Sequence, residues 1–138
     1  MLFRSNPVPD NVRVTLDLPA ALPKALADAD QVRIVFANLI RNAREAMPEG
    51  GALTVEGRPA DDRVEVAVRD TGVGIAPELL ARVTEPLYST KARGLGLGLA
   101  IARAILEKND GSLRVASEVG RGSTFTVLLR AAPPEKAS

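Results

Sequence analysis

From Val12 the chain alternates, with Val12, Val14, Leu16 and Leu18 set between Arg13, Thr15 and Asp17, the two-residue period of a half-buried strand. Pro19 and Pro23 break that pattern. From about Ala29 to Met47, Val32, Val35, Phe36, Leu39, Ala43 and Ala46 recur at helical spacing, which predicts a first long helix ended by Pro48 and the Gly50-Gly51 pair. Two alternating runs, Ala52 to Gly57 and Arg63 to Asp70, flank the turn-forming Arg58-Pro59-Ala60-Asp61-Asp62 and predict a hairpin. A short helix is expected to start at Pro77, followed by a loop from about Thr84 to Arg93. Beyond glycines 94, 96 and 98, Leu99, Ile101, Ala102, Ile105 and Leu106 predict a further helix ending near Asn109, with Gly111 just past its end. Strands around Leu113 to Ser117 and Thr124 to Arg130 follow. The order strand, helix, hairpin, helix, hairpin predicts an α+β fold: a two-layer α/β sandwich with a mixed, mostly antiparallel sheet and about three helices on one face. Residues 1–132 are expected to form one domain, and 133–138 a disordered tail.

Composition narrows the chemistry. Eighteen basic and seventeen acidic residues leave a net charge of +1, which gives no broad attraction to nucleic acid or anionic lipid. With no cysteine and no histidine, thiolate metal sites, disulfides and histidine general bases are excluded. No apolar run approaches the ~20 residues that span a bilayer, so a cytoplasmic segment without direct membrane contact is expected.

Three features can carry chemistry. Asn38 and Asn42 lie four apart on the first helix, so both amides emerge on one flank, where a side-chain carbonyl can complete the oxygen shell of Mg²⁺. The competing reading is two asparagines bordering a buried face. Asp70 continues the inward phase of Val64, Val66 and Val68, which puts a carboxylate where an apolar residue is expected. The following Thr71-Gly72-Val73-Gly74 lets backbone approach a planar ligand, and an amino-purine donating to Asp70 would satisfy the charge. A strand-end aspartate capping its own turn is the alternative. Finally, Gly94-Leu95-Gly96-Leu97-Gly98 runs into a helix, where exposed amides favour phosphate, with Lys91 and Arg93 close by to neutralise it. A glycine hinge for a mobile loop is compatible with that role.

Together these stretches resemble the boxes of histidine kinases in identity and order. Asn38 to Ala43 resembles the N box, Asp70 to Gly74 the G1 box, Glu85-Pro86-Leu87-Tyr88-Ser89-Thr90-Lys91 the F box and Gly94 to Gly98 the G2 box. Gly120-Arg121-Gly122-Ser123-Thr124-Phe125 is similar to the family's last glycine motif, so the resemblance covers about Val12 to Arg130. It implies the Bergerat ATP-binding fold shared with gyrase B, the Hsp90 chaperones and MutL, with Mg²⁺ on Asn42 and adenine on Asp70. It also implies an ATP lid over residues 84–95. Carried over residue by residue, nucleotide contacts fall on Asn38, Asn42, Ala46, Asp70, Gly72, Gly74, Ile75, Tyr88, Ser89, Thr90, Lys91, Arg93, Gly94, Leu95, Gly96, Leu97, Gly98, Leu99 and Thr124, with catalytic roles for Asn38 and Lys91. Asn38 stands where the topoisomerase and chaperone branches have a general-base glutamate, which argues for phosphoryl transfer over hydrolysis. Thr84 and Leu87 replace the usual F-box phenylalanine, Leu95 a common G2 threonine, and Glu45 a frequent phosphate-contacting lysine.

The implied activity is transfer of the ATP γ-phosphate to a histidine on a separate dimerisation domain, with a response regulator downstream. The short lid and Tyr88-Ser89-Thr90-Lys91 resemble the nitrogen-regulation type of sensor kinase. A nucleotide-sensing interaction module and an anti-sigma-type serine kinase are the alternatives, separated by whether phosphate moves and to which acceptor.

Overall fold

The computed structural model describes residues 12–78 and 93–133, with the backbone alone described over 93–98. Its elements run β1 (Val12–Asp17), α1 (Ala29–Glu45), β2 (Gly51–Ala60), β3 (Arg63–Asp70), α2 (Arg93–Lys108), β4 (Ser112–Glu118) and β5 (Gly122–Arg130). The five strands form one sheet in the order β1-β2-β3-β5-β4, with β1 parallel to β2 and every other pairing antiparallel. Both helices cover one face, so the mixed two-layer sandwich read from the sequence is the observed architecture.

Apolar spacing explains the packing. Val35, Leu39, Ala43 and Met47 recur every four residues along α1 and its end, and all four are buried. Leu99, Ala102 and Leu106 do the same on α2, and both rows close on Leu53, Val55, Val68, Phe125, Val127 and Leu129 of the sheet. Asp28 caps α1, its carboxylate accepting the amides of Asp30 and Gln31 at 2.9 and 3.1 Å. Asn109, just past α2, accepts the Asp28 amide and donates to Gln31, which ties the end of α2 to the start of α1.

Several expectations shift. The hairpin strands extend to Ala60 and Arg63, leaving Asp61 and Asp62 as the turn, with Asp61 at φ 60°. The long helix begins at Arg93 and takes in the glycines that were expected to precede it. A helix propagates far more readily than it nucleates, so the strongly apolar segment from Leu99 carries its hydrogen bonding back through Gly98, Gly96 and Gly94. Past α2 it is Asp110 that takes the left-handed conformation, at φ 59°. Gly111 serves close approach instead: a Cβ there would lie 2.6 Å from the Leu128 carbonyl oxygen.

β1 is a strand, but only Val12 is buried; Val14 is 48% and Leu16 66% exposed. Both share the register of buried Leu53 and Val55, so they face the helix side at a sheet edge that the two helices do not cover. Residues 77–78 are helical as expected from Pro77, while the remainder of that helix, the loop before Arg93 and the tail from residue 134 lie outside the described residues. Among the described residues no helix is long and apolar enough to cross a membrane.

Candidate functional site

Strand parity sets the site. Asp70 is the last residue of β3, in phase with inward Val68, and faces Ser123 of β5 in register. It is 2% exposed. One carboxylate oxygen, Oδ1, accepts the amides of Gly72 at 2.8 Å and Ser123 at 3.3 Å; the other, Oδ2, is buried with no partner among the described residues. Burial raises the carboxyl above its ordinary range, and the two amide bonds oppose that rise.

The loop after Asp70 is anchored to three neighbouring elements. Thr71 exchanges hydrogen bonds with Ala52, its amide donating to the Ala52 carbonyl and its hydroxyl accepting the Ala52 amide. Val73 donates to the Ala46 carbonyl at the end of α1, Gly120 donates to the Val73 carbonyl, and Ile75 donates to the Ser117 hydroxyl of β4. Close approach requires the glycines: a Cβ at Gly72 would sit 2.3 Å from the Ala46 oxygen, and one at Gly74, where φ is +78°, 2.2 Å from the Glu118 oxygen.

This arrangement encloses a cavity of about 190 Å³ lined by Asn42, Glu45, Ala46, Asp70, Val73, Gly74, Ile75, Ser123 and Phe125. Ligand pockets usually span ~300–1,000 Å³, so the space suits one heterocycle of a larger ligand. Asn42 is 5% exposed, and neither its Oδ1 nor its Nδ2 has a partner among the described residues. Buried polar atoms are normally bonded, so an unpaired amide and an unpaired carboxylate oxygen on residues lining one cavity mark a polar ligand's place. Two larger clefts of about 420 Å³ lie elsewhere, one between α2 and β4 and one on the open sheet face. Ion pairs line both, with Arg103 on Glu107 in the first and Arg58 and Arg69 on Glu65 and Glu56 in the second.

Of the residues expected from the sequence, Asn42, Ala46, Asp70, Gly74 and Ile75 converge on the cavity, and Gly72 seats the loop against Ala46. Asn38 is buried one turn away with its carbonyl held by Arg41 at 2.7 Å, and does not line the cavity. Leu99 is wholly buried in the core and borders the α2–β4 cleft. Thr124 is on the wrong face: Phe125, Val127 and Leu129 point inward, so their odd-numbered neighbour Ser123 does too, while Thr124 lines the open sheet face. Ser123 and Phe125 were missed as cavity residues, although that same parity would have found them. Arg93, Gly94, Leu95, Gly96, Leu97 and Gly98 are described in backbone only, as the start of α2, and Tyr88, Ser89, Thr90 and Lys91 lie outside the described residues.

Residues 27–133 match the family described as histidine kinase-, DNA gyrase B- and HSP90-like ATPase. The chain is 39% identical over 120 residues to sporulation kinase E of Bacillus subtilis, covering 86% of this chain and 16% of that protein. It is 41% identical over 108 residues to the sensor histidine kinase ZraS of Escherichia coli, covering 78% and 23%. The chain therefore spans less than a quarter of the length of either relative. Among solved structures, the catalytic domain of histidine kinase ThkA in a nucleotide-free form superposes with a TM-score of 0.80 at 27% identity, over 94% of this chain and 86% of that one. Full-length ShkA in complex with AMPPNP superposes with a TM-score of 0.76 at 30% identity, over 89% and 27%.

Proposed function

The chain belongs to the histidine kinase-, DNA gyrase B- and HSP90-like ATPase family, as the ATP-binding catalytic domain of a sensor histidine kinase, and we propose that Asp70 and Asn42 hold Mg-ATP for transfer to a histidine on a separate domain. The observation that carries this reading is the pair of buried groups without a partner among the described residues, Asp70 Oδ2 and the Asn42 amide, on residues lining one cavity. An adenine 6-amino group supplies the donor that Asp70 lacks. The Asn42 carbonyl supplies a neutral oxygen of the kind Mg²⁺ takes alongside phosphate oxygens and water. When bound, Mg²⁺ neutralises charge on the transferring phosphate.

What the protein contributes is position and electrostatics, because phosphoryl transfer needs little covalent chemistry from the enzyme. Asp70 fixes the base, the glycine-seated loop closes over it, and the first turn of α2 offers free backbone amides to phosphate. Lys91 and Arg93, with Tyr88, Ser89 and Thr90, are proposed to face the polyphosphate, and Asn38 to order metal or water. The brevity of the 84–95 segment and its Tyr-Ser-Thr-Lys run support a nitrogen-regulation-like subtype. The partners proposed are the histidine-bearing dimerisation domain of the parent kinase and a response regulator.

The chain contains no histidine, so the acceptor histidine of the proposed transfer lies outside these 138 residues. Incubating it with radiolabelled ATP, Mg²⁺ and a supplied dimerisation domain should label that domain on histidine. ATP binding with no transfer to any histidine acceptor would overturn the kinase assignment and leave a nucleotide-sensing module.

A further inference from the structure

Behind the acidic wall of the cavity a single hydroxyl has three neighbours. Ser117 Oγ accepts the Ile75 amide at 2.7 Å, lies 2.7 Å from Ser123 Oγ and reaches the Gly122 carbonyl oxygen at 3.1 Å. A serine hydroxyl has one proton and two lone pairs. A carbonyl oxygen cannot donate, so all three contacts are made together in one way only. Ser117 gives its proton to Gly122, and the Ile75 amide and the Ser123 hydroxyl both donate to Ser117. The proton of Ser123 is thereby turned away from the cavity that Ser123 lines. Ser123 then keeps only its acceptor lone pairs for a ligand, on a cavity residue paired in register with Asp70, whose Oδ2 has no partner among the described residues.

We infer that Ser117 is a positioning residue for base selection: by holding the Ser123 proton and the Ile75 amide, it makes the Asp70–Ser123 wall acceptor-only. Such a wall takes a purine whose 6-substituent donates and rejects one whose 6-substituent accepts. The position has a second consequence for the same pocket, because the Ile75 bond fixes the far end of the loop that begins at Asp70, and Ile75 is itself a buried cavity residue. One side chain on β4 thus sets both the polarity and the placement of opposite parts of the base site. The inference rests on the nucleotide-binding reading above.

The test has one arm without nucleotide and one with it. In the ligand-free chain, the Ile75 amide should exchange slowly with solvent, quickly in Ser117→Ala, and slowly again in Ser117→Thr, which keeps the hydroxyl. Dissociation constants for ATP and inosine triphosphate, which differ at the purine 6-position, should favour ATP in the parent chain. Ser117→Ala frees the Ser123 proton to meet a 6-oxo group and should narrow that preference by about tenfold, the worth of one hydrogen bond, while Ser117→Thr retains it. Should Ser117→Ala fail to fold, Ser117→Cys, nearly the same size and a weak acceptor, should show the same narrowing. An unchanged preference in Ser117→Ala or Ser117→Cys, an equal loss of affinity for both nucleotides, or a threonine variant that behaves like alanine would overturn the inference. A parent chain that binds neither nucleotide defeats the nucleotide reading and the base-selection role together, whereas the Ile75 exchange pattern still decides whether the hydroxyl network exists.

Discussion

Asp70 is a carboxylate whose two oxygens have different surroundings: Oδ1 is held by two backbone amides, and Oδ2 is buried with nothing among the described residues to accept from. Its folded-state pKa is raised by desolvation, so the folded chain binds the proton more tightly than the unfolded one. The stability linked to Asp70 is therefore present in full below its ordinary value of 3.8 and is lost as pH rises through the raised folded value. Asp70→Asn removes that charge while keeping an Oδ1 acceptor, so the ligand-free variant should melt at or above the parent temperature at neutral pH, with the gap closing as pH approaches 3.8. Thermal scans across pH check this; a variant markedly less stable at pH 7 would contradict it. The same substitution should weaken ATP binding by roughly 10- to 150-fold, the worth of one hydrogen bond to a charged group, about 1.5–3 kcal/mol. Asn42→Asp should act differently, changing the Mg²⁺ dependence of ATP binding more than the metal-free affinity, and matched titrations with and without Mg²⁺ would show it. Asp70 was legible in the sequence because a carboxylate interrupts an alternating valine row. Asn42 was legible as a flank residue only, since spacing gives direction around a helix but not whether an amide finds a partner.

The loop from Thr71 to Ile75 owes its shape to backbone contacts more than to its own sequence. Gly74 combines a left-handed φ of +78° with a carbonyl oxygen 2.2 Å from where a Cβ would lie. Gly74→Ala should thus cost several kcal/mol of stability and abolish measurable ATP binding, because both the conformation and the approach to β4 are forbidden to alanine. Chemical denaturation beside a nucleotide titration tests this, and a variant that folds and binds as the parent does would refute it. Strand parity was readable for β3 and β5, yet the motif likeness pointed to Thr124, while the alternation through Phe125 and Val127 favours Ser123. The start of α2 was not readable, because glycine propensity opposes helix and only the cooperative extension from the buried Leu99 to Leu106 stripe decides otherwise. β1 shows the opposite failure. Its alternation correctly gave a strand, but whether anything covers an alternating face depends on where the helices lie, and Val14 and Leu16 are left exposed.

Taken as a whole, the sheet works as a floor whose inward face ends in the acid site at one end of β3, while α1 supplies Asn42 from above and the loop from Val73 to Ile75 adds a further side. The order of strands and helices was predictable because the apolar spacing within each element announces its type. The cavity was not, since it arises where the end of α1, the loop after β3 and the β4–β5 hairpin meet, segments distant in sequence that are joined by Val73 to Ala46, Gly120 to Val73, Ile75 to Ser117 and Ser123 to Asp70. The central claim is that this cavity takes the base of ATP and that Asn42 serves its metal. Calorimetric titration of the chain with ATP and GTP, each with and without Mg²⁺, tests it most directly. The account predicts saturable one-to-one binding of ATP, tightened by Mg²⁺, with GTP bound far more weakly; ATP that fails to bind at saturating concentration, or binds no better than GTP, would contradict it.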